Sequence, residues 1–415
     1  MKKTLLFFII TFFTVSVNAQ NLSVLRENSY NTSGGKVKLE FKYKKGSTYR
    51  ILSTVNETVY VNGRLDHAGV ILNRVTSKVT GTDENGTSTL DCNFMTTEES
   101  TGFSSGNTFT YGEDYKSIYK ITKQGVYEIS PEYFMPTVRD CPVFPDKEVE
   151  PGDTWTYEGH EAHDMRRIYG IKDPFKIPFS AEYTYLGTED NLHVIHVKYD
   201  SYTEAPELQN PLVTEYPVQM AGYSDELIYF DNEKGIIDHY TESFRIAYVT
   251  SRGNRLDFKG TAHAEVNEIV QVNSEENVTD VQKKVDNMGI ENVTVKQGDK
   301  GLTLSIENIK FKADSAVLLE SEKIKLKQIA EILEAFPEND ILISGHTALA
   351  GTEKVRQRLS EQRAQAVADY LIKLGVRDKY HIFTKGFGAT HPVAPNTNEE
   401  GKAKNRRVEI TILDN

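Results

Sequence analysis

The chain has 415 residues, 38% hydrophobic and 26% charged, and a formal net charge of -12, a composition that excludes bulk disorder and fibrous architectures. The acidity also argues against a general nucleic-acid binder, which needs clustered positive charge to displace counterions. It is uneven, with 29 Lys+Arg against 44 Asp+Glu in residues 20–302 and 17 against 16 in residues 303–415, which indicates two regions with different surfaces and different partners.

Met1-Lys2-Lys3 precede a largely apolar run from Thr4 to Val15, and Val17-Asn18-Ala19 stand before Gln20. This is the pattern of a cleaved export signal over residues 1–19, and the run is too short for a membrane span. No cysteine follows the cleavage point, so lipid attachment is not expected, and the mature chain is expected to be soluble outside the cytoplasm. The two cysteines, Cys92 and Cys141, leave two readings open. They can pair as a disulfide in an oxidising compartment, contributing about 4 kcal/mol in the chain-entropy model. Alternatively Cys92, within the alternating Leu90-Asp91-Cys92-Asn93-Phe94, is a small buried hydrophobe.

From Val37 to about Val270 the chain is a succession of short runs with period-two alternation. Examples are Val37–Tyr43, Thr58–Val61, His193–Tyr199 and Leu227–Phe230, separated by turn signals at Asn62-Gly63, Glu84-Asn85-Gly86 and Glu233-Lys234-Gly235. The expected fold of residues 20–270 is an acidic, mostly antiparallel β domain, a sandwich or barrel-like sheet, with two sub-lobes meeting near 142–151. An outer-membrane barrel is the rival, but the strands carry Lys, Glu, Asp and His on their polar face and prolines crowd the middle, which favours a soluble sheet.

One cluster in this region has the composition of a metal site. Glu158-Gly159-His160-Glu161-Ala162-His163-Asp164 places two imidazoles three apart among carboxylates. The spacing is not that of the zinc-protease helix, and a solvated polar loop is the better account, so no metal or cofactor is expected. Trp155, following Pro151-Gly152-Asp153, is expected to start a strand and pack in the core.

The pattern changes near Asn273. A helix is expected over Asn277–Met288 with Gly289 at its end, then strands containing Val293 and Val295 and Leu302 to Ile309. A second helix should run from Ser321 as N-cap to Phe336, with Ile324, Ile329, Ile332, Leu333 and Phe336 as its buried stripe. A buried strand follows at 340–345, a third helix at Thr352–Leu374, and closing strands at Ile382–Lys385 and Arg407–Leu413. Residues 271–415 thus read as an α/β sandwich with helices over one face of a mixed sheet, and the whole chain as α+β.

The segments Phe311–Leu318 (FKADSAVL), Gly345-His346-Thr347, Leu359-Ser360-Glu361-Gln362-Arg363-Ala364, Gly386-Phe387-Gly388 and Asn405-Arg406-Arg407-Val408-Glu409-Ile410 carry a resemblance. In order and spacing, over a core of 303–415, they resemble the OmpA-like C-terminal domain, similar to the periplasmic ends of outer-membrane porins, peptidoglycan-associated lipoproteins and flagellar stator proteins. The resemblance implies a periplasmic cell-envelope protein that binds the peptidoglycan stem peptide non-covalently and without catalysis. Outer-membrane or periplasmic proteins are further candidate partners.

In that family a pocket holds diaminopimelate between an Asp after the Gly-aromatic/His-Thr strand end and the Arg of the LSxxRA helix. The carboxylate meets the ligand ammonium and the guanidinium takes the ligand carboxylate. Arg363 matches the Arg, but Ala348 stands at the Asp position, and Arg356 replaces the usual small amide. Thr347, Ala348, Arg356, Leu359, Arg363, Asp314 and Ser315 are therefore the candidate binding residues. Losing one charge-assisted contact costs about 1.5 to 3 kcal/mol, roughly 10- to 150-fold in affinity, unless the ligand differs. Three accounts follow: a retuned wall site, a different anionic ligand, or a structural docking unit. A rival from another class is a wall- or glycan-acting enzyme that uses His160 and His163 and is targeted by the C-terminal domain.

Overall fold

The structure is a computed structural model that describes residues 30–100, 109–110, 112, 114–204, 214–269, 272–312 and 315–414. The expected export signal lies outside the described residues. Along the chain, the first part holds β1 (Thr48–Val61), β2 (Arg64–Thr82), β3 (Ser88–Ser100), β4 (Phe109–Thr110), β5 (Asp114–Ile121), β6 (Tyr127–Ile129), β7 (Val138–Arg139) and β8 (Thr154–His163). A single helical turn, α1 (Arg166–Tyr169), leads to β9 (Phe175–Glu189), β10 (Leu192–Glu204), β11 (Pro217–Asp231), β12 (Ile236–Thr250) and β13 (Arg255–Ile269). The remainder is α2 (Glu275–Asn287), β14 (Val293–Gly298), β15 (Gly301–Glu307), α3 (Glu320–Leu333), β16 (Ile341–Gly345), α4 (Glu353–Lys373), β17 (Ile382–Gly386), α5 (Glu399–Asn405) and β18 (Arg407–Leu413).

Alternating sequence becomes sheet because each turn signal closes a hairpin. Asn62 and Gly63, both at positive φ (50° and 78°), join β1 to β2, and Gly235 (φ 70°) closes β11 onto β12. Twelve strands form one antiparallel sheet in the order β6-β5-β3-β2-β1-β13-β12-β11-β10-β9-β8-β7, curled into a nearly closed barrel. Residues 48–129 supply one run of this sheet and 138–269 the other, joined where β1 pairs β13 from Thr48↔Ile269 to Val61↔Leu256. Of the two forms expected from sequence, the barrel-like sheet is the one present.

The segment Val37–Tyr43 is not a strand of the sheet. It is anchored by an isolated bridge at Val37↔Val149 and by backbone bonds of Phe41 and Lys42 to Lys123 and Gly235. Leu39 and Phe41 are buried with Phe144, Val149 and Phe230. The alternation reported burial against the barrel wall, not ladder pairing. Of the two readings left open for the cysteines, the structure has the unpaired one, with both cysteines free. Cys92 Sγ donates to Ser77 Oγ at 3.2 Å within the barrel core, and Cys141 belongs to the rim of a separate cluster around Tyr183.

The six-stranded sheet has the order β14-β15-β18-β16-β17-β4; β16–β17 and β17–β4 are parallel and the remaining pairs antiparallel. α2 is capped by Ser274, whose side chain accepts from Asn277 N. The N-cap of α3 is Leu319 and not Ser321, and Ile324 is 62% exposed. The buried residues are Glu322, Leu326, Ile329, Ala330, Ile332 and Leu333; two residues from Leu326 is 200° of rotation, which turns Ile324 to the opposite side. α5 was not anticipated.

The two sheets meet on the outer face of β1–β3. Leu52, Leu72 and Met95 from the barrel pack against Leu342, Phe383 and Leu413. At the centre, Asp340 accepts from Arg50 Nη1 at 2.8 Å and from Arg74 Nε at 2.6 Å, with all three side chains at most 3% exposed. β4, from the first part of the chain, extends the second sheet by pairing Phe109↔Phe383 and Thr110↔Thr384.

Candidate functional site

The C-terminal end of β16 and the loop after it are fixed from three sides. Gly345 is where α4 crosses closest: a Cβ there would lie 2.1 Å from the Ser360 carbonyl oxygen. His346 N donates to Arg407 O at 3.0 Å, and Thr347 N to Gly388 O at 2.7 Å. Ser360 Oγ, bonded to the Gln357 carbonyl, accepts from Gly388 N at 2.9 Å and ties the 386–388 loop to the helix.

This framework places the expected residues as follows. Thr347 and Ala348 are buried at the strand end, 7% and 5% exposed, and Leu349 after them is exposed. Arg356, in the first turn of α4, donates Nη1 to Gly351 O at 2.5 Å, closing the Ala348–Gly351 loop onto the helix. Leu359 is half-buried one turn further. Arg363, seven residues after Arg356 and so on the same helix face, lays its guanidinium 5.0 Å from the centre of the Phe311 ring. That contact brings the FKADS segment to α4. Ser315 Oγ donates to Lys312 O at 3.1 Å and forms a local turn; Asp314 lies outside the described residues.

Two donors at this site stand out. Thr347 Oγ1 and Arg356 Nε are buried with no hydrogen-bond partner among the described residues, at either end of the loop that holds Ala348. A buried polar atom without a partner needs an explanation, and a ligand acceptor is one.

Behind the loop is a polar support that sequence reasoning missed. Asn405 is fully buried; its Oδ1 accepts from Val393 N and Ala394 N, and its Nδ2 donates to Ala394 O and Asn396 Oδ1. Asn396 in turn accepts from Leu349 N at 3.0 Å. His346 stacks on Phe387 at 5.2 Å and lies 3.5 Å from Glu409. Burial opposes the ionisation of Glu409, but the His346 ring, the Lys296 ammonium at 2.9 Å and the Arg407 guanidinium at 3.0 Å outweigh it and hold the carboxyl well below its usual range. Burial also lowers the pKa of His346. Strand alternation of Val408, Ile410 and Ile412 had already placed Glu409 on the other face; nothing in one sequence pointed to its partners.

The His160/His163 cluster is not a loop. It is the end of β8, paired with β9 throughout, and Gly159 is a strand residue because the Phe179 ring occupies the space a Cβ would take. Three residues apart on a strand, the two imidazoles point to opposite faces and cannot share an ion. His163 Nε2 is 2.6 Å from Glu161 Oε2, while His160 Nδ1 is 3.9 Å from Asp140. Trp155 does enter a strand, stacks on Tyr183 at 5.3 Å and donates to Val143 O at 2.7 Å.

Residues 310–406 match the OmpA family model, and the C-terminal part of the chain is an OmpA-like domain. Among curated relatives, the peptidoglycan-binding protein ArfA of Mycobacterium tuberculosis is 43% identical over 104 residues, covering 25% of this chain and 32% of the relative. The probable lipoprotein YiaD of Escherichia coli is 38% identical over 117 residues, 28% of this chain and 53% of the relative. The chain thus spans a third to about half the length of these relatives. A solved outer-membrane protein of Borrelia burgdorferi is 45% identical, with a TM-score of 0.25, covering 29% of this chain and 96% of the other.

Proposed function

We propose that this is a periplasmic cell-envelope protein of two parts, residues 20–270 and 271–415, whose OmpA-like part holds peptidoglycan non-covalently while the barrel presents a second binding function. The site is the Thr347–Gly351 loop with Arg356, Leu359 and Arg363 of α4 and the turn at Ser315. The observation that carries the proposal is the pair of buried donors without partners, Thr347 Oγ1 and Arg356 Nε, flanking Ala348. They suit a ligand acceptor such as the carboxylate of a stem peptide, which Arg363 takes as well. With Ala348 in place of a carboxylate, the ammonium side of a diamino acid gains no charged partner from position 348, so recognition rests on the ligand's carboxylate. The name and 43% identity of ArfA support this reading. The outer faces of β9, β10 and β13 carry Lys176, Glu182, Lys198, Asp200, Lys259 and Glu265, which suits water and not lipid.

A second reading, a docking scaffold without wall affinity, draws support from the burial of Ala348 and from the docking of the six-stranded sheet onto the barrel. Co-sedimentation of the mature chain with native sacculi, beside sacculi rich in diaminopimelate, separates the two. Loss of binding in Arg363→Ala and a gain on diaminopimelate sacculi in Ala348→Asp are the expected results. No binding to either by a folded protein favours the scaffold.

A further inference from the structure

The barrel interior breaks the rule that a strand's inward face is apolar. Register places Glu57, Glu161, Glu226 and Glu242 on the inward faces of β1, β8, β11 and β12, with Glu226 and Glu242 directly opposite each other. Like charges so paired destabilise a sheet. No lysine or arginine occupies an inward position of β1 or of β8–β13. Glu226 and Glu242 lie deep in the barrel, yet both keep accessible surface, as do the inward Tyr240, Phe244, Ile246 and Phe258. Side chains that are deep and still accessible line a lumen. Packed clusters flank these residues along the strands: Met165, Ile177, Met220 and Tyr248 on one side, Leu39, Phe41 and Phe144 on the other.

Two further groups face this lumen without partners. Ser201, 3% exposed on the inward face of β10, has a hydroxyl that makes no hydrogen bond among the described residues. Tyr199, two residues earlier and 6% exposed, stacks on Phe179 at 4.1 Å. Its hydroxyl feels the carboxylates of Glu161, Glu242 and Glu226 and bonds to none of them. Ser224 donates to Glu242 at 2.7 Å, but Glu226 receives no hydrogen bond from the described residues. The carboxylates respond as uncompensated groups do: burial and then Glu242 push Glu226 up, and burial, then Glu161, push Glu242 up to about 7.

We infer that the barrel lumen is a binding site for an organic ammonium ion with an apolar body, its amine held by Glu226 and Glu242 and its body by the aromatic wall, beside Glu161, which already bonds His163 on the same face. An ammonium supplies the positive charge that no lysine or arginine brings to those inward faces, and the donors that the opposed Glu226 and Glu242 need. Tyr240, Phe244, Tyr248 and Phe258 offer ring faces to a cation and to its apolar portion.

The test titrates the mature chain at pH 7 with dansylcadaverine, a primary ammonium on an apolar fluorophore, and with its N-acetylated, uncharged form. One saturable site per chain is expected, at least tenfold tighter for the ammonium. Glu226→Gln/Glu242→Gln should abolish that preference while leaving the acetylated form bound as before, and Tyr199→Phe should weaken the ammonium severalfold. The double variant should melt at or above the wild-type temperature, because the opposed charges are gone; if it does not fold, the single Glu226→Gln and Tyr199→Phe variants carry the comparison. Equal affinity for both probes, no saturable binding, or an ammonium preference unchanged in folded variants overturns the inference.

Discussion

Replacing Asp340 with alanine should be the most damaging single change at the junction of the two sheets. The carboxylate is fully buried and serves Arg50 at 2.8 Å and Arg74 at 2.6 Å, themselves 3% and 1% exposed. After the change Arg50 keeps its bond to the Glu338 carbonyl and Arg74 the face of Phe383, but both cations lose their shared counter-ion. Removing one partner of a buried ion pair costs about 3–5 kcal/mol, and here one removal takes away the carboxylate shared by two arginines, so the loss belongs at the upper end, about 5 kcal/mol. A domain's whole stability is about 5–15 kcal/mol. Asp340→Asn, which keeps one acceptor, should cost about 3 kcal/mol by the same reasoning. Arg50→Met/Arg74→Leu/Asp340→Leu, which removes all three charges of the triad, should return to within about 2 kcal/mol of wild type. Urea unfolding followed by far-ultraviolet circular dichroism and by the fluorescence of Trp155, the single tryptophan and a barrel residue, reads both size and cooperativity. In Asp340→Ala the tryptophan transition should separate from the overall one. A loss below about 1 kcal/mol, or a triple variant as damaged as the alanine, would refute the reasoning, since the uncompensated charge would then not be the cause.

Three other outcomes are expected. Gly345→Ala forces α4 away from β16 and should cost about 1–3 kcal/mol in thermal melts, with weaker sedimentation on sacculi. Glu409 is held below the usual carboxyl range, so its contribution is present above the unfolded pKa and lost as pH falls through the folded one; wild type should lose stability more steeply than Glu409→Gln on acidification below about pH 5. Both cysteines should resist a thiol reagent in the native protein, since burial pushes the Cys92 thiol up to about 11 and raises that of Cys141 well above its ordinary value. Two thiols should react after denaturation without reductant, and none would mean that the pair is bridged.

The strands and helices were legible wherever local chemistry decides them. Asn62-Gly63 dictates a hairpin, Gly289 ends a helix, and the 3.6-residue period of α4 survives its polar composition. The helix stripe of α3 was misplaced by one apolar residue, Ile324, because apolar character alone does not say which face is buried. The histidine pair was misread for a related reason: Gly159 looks like a loop residue until the Phe179 ring is seen to need its space. The candidate pocket was legible through the resemblance, including the gap at Ala348. Its support was not, since Asn396 and Asn405 act through backbone groups that sequence does not mark. Least legible was the junction, where Asp340 meets Arg50 and Arg74 across 290 and 266 residues and a two-residue strand from the first part extends the second sheet.

That junction changes what the uneven charge means. An acidic excess in residues 20–302 was read as a surface for a different partner, on the assumption that alternating strands turn their polar residues outward. The register shows that part of the excess faces inward, at Glu57, Glu161, Glu226 and Glu242, while the outer face of β1–β3 spends two arginines on Asp340. The acidic character is therefore divided between an outer face and an inner one, and exposed charges are screened by salt far more than buried ones. High ionic strength should screen contacts of exposed outer charges that reach beyond a Debye length, about 3 Å at 1 M, and should leave a lumen-bound ammonium far less affected. Salt titration of dansylcadaverine binding thus distinguishes a ligand held inside the barrel from one collected on its acidic exterior: near-constant affinity marks the lumen, and a steep decline marks the surface.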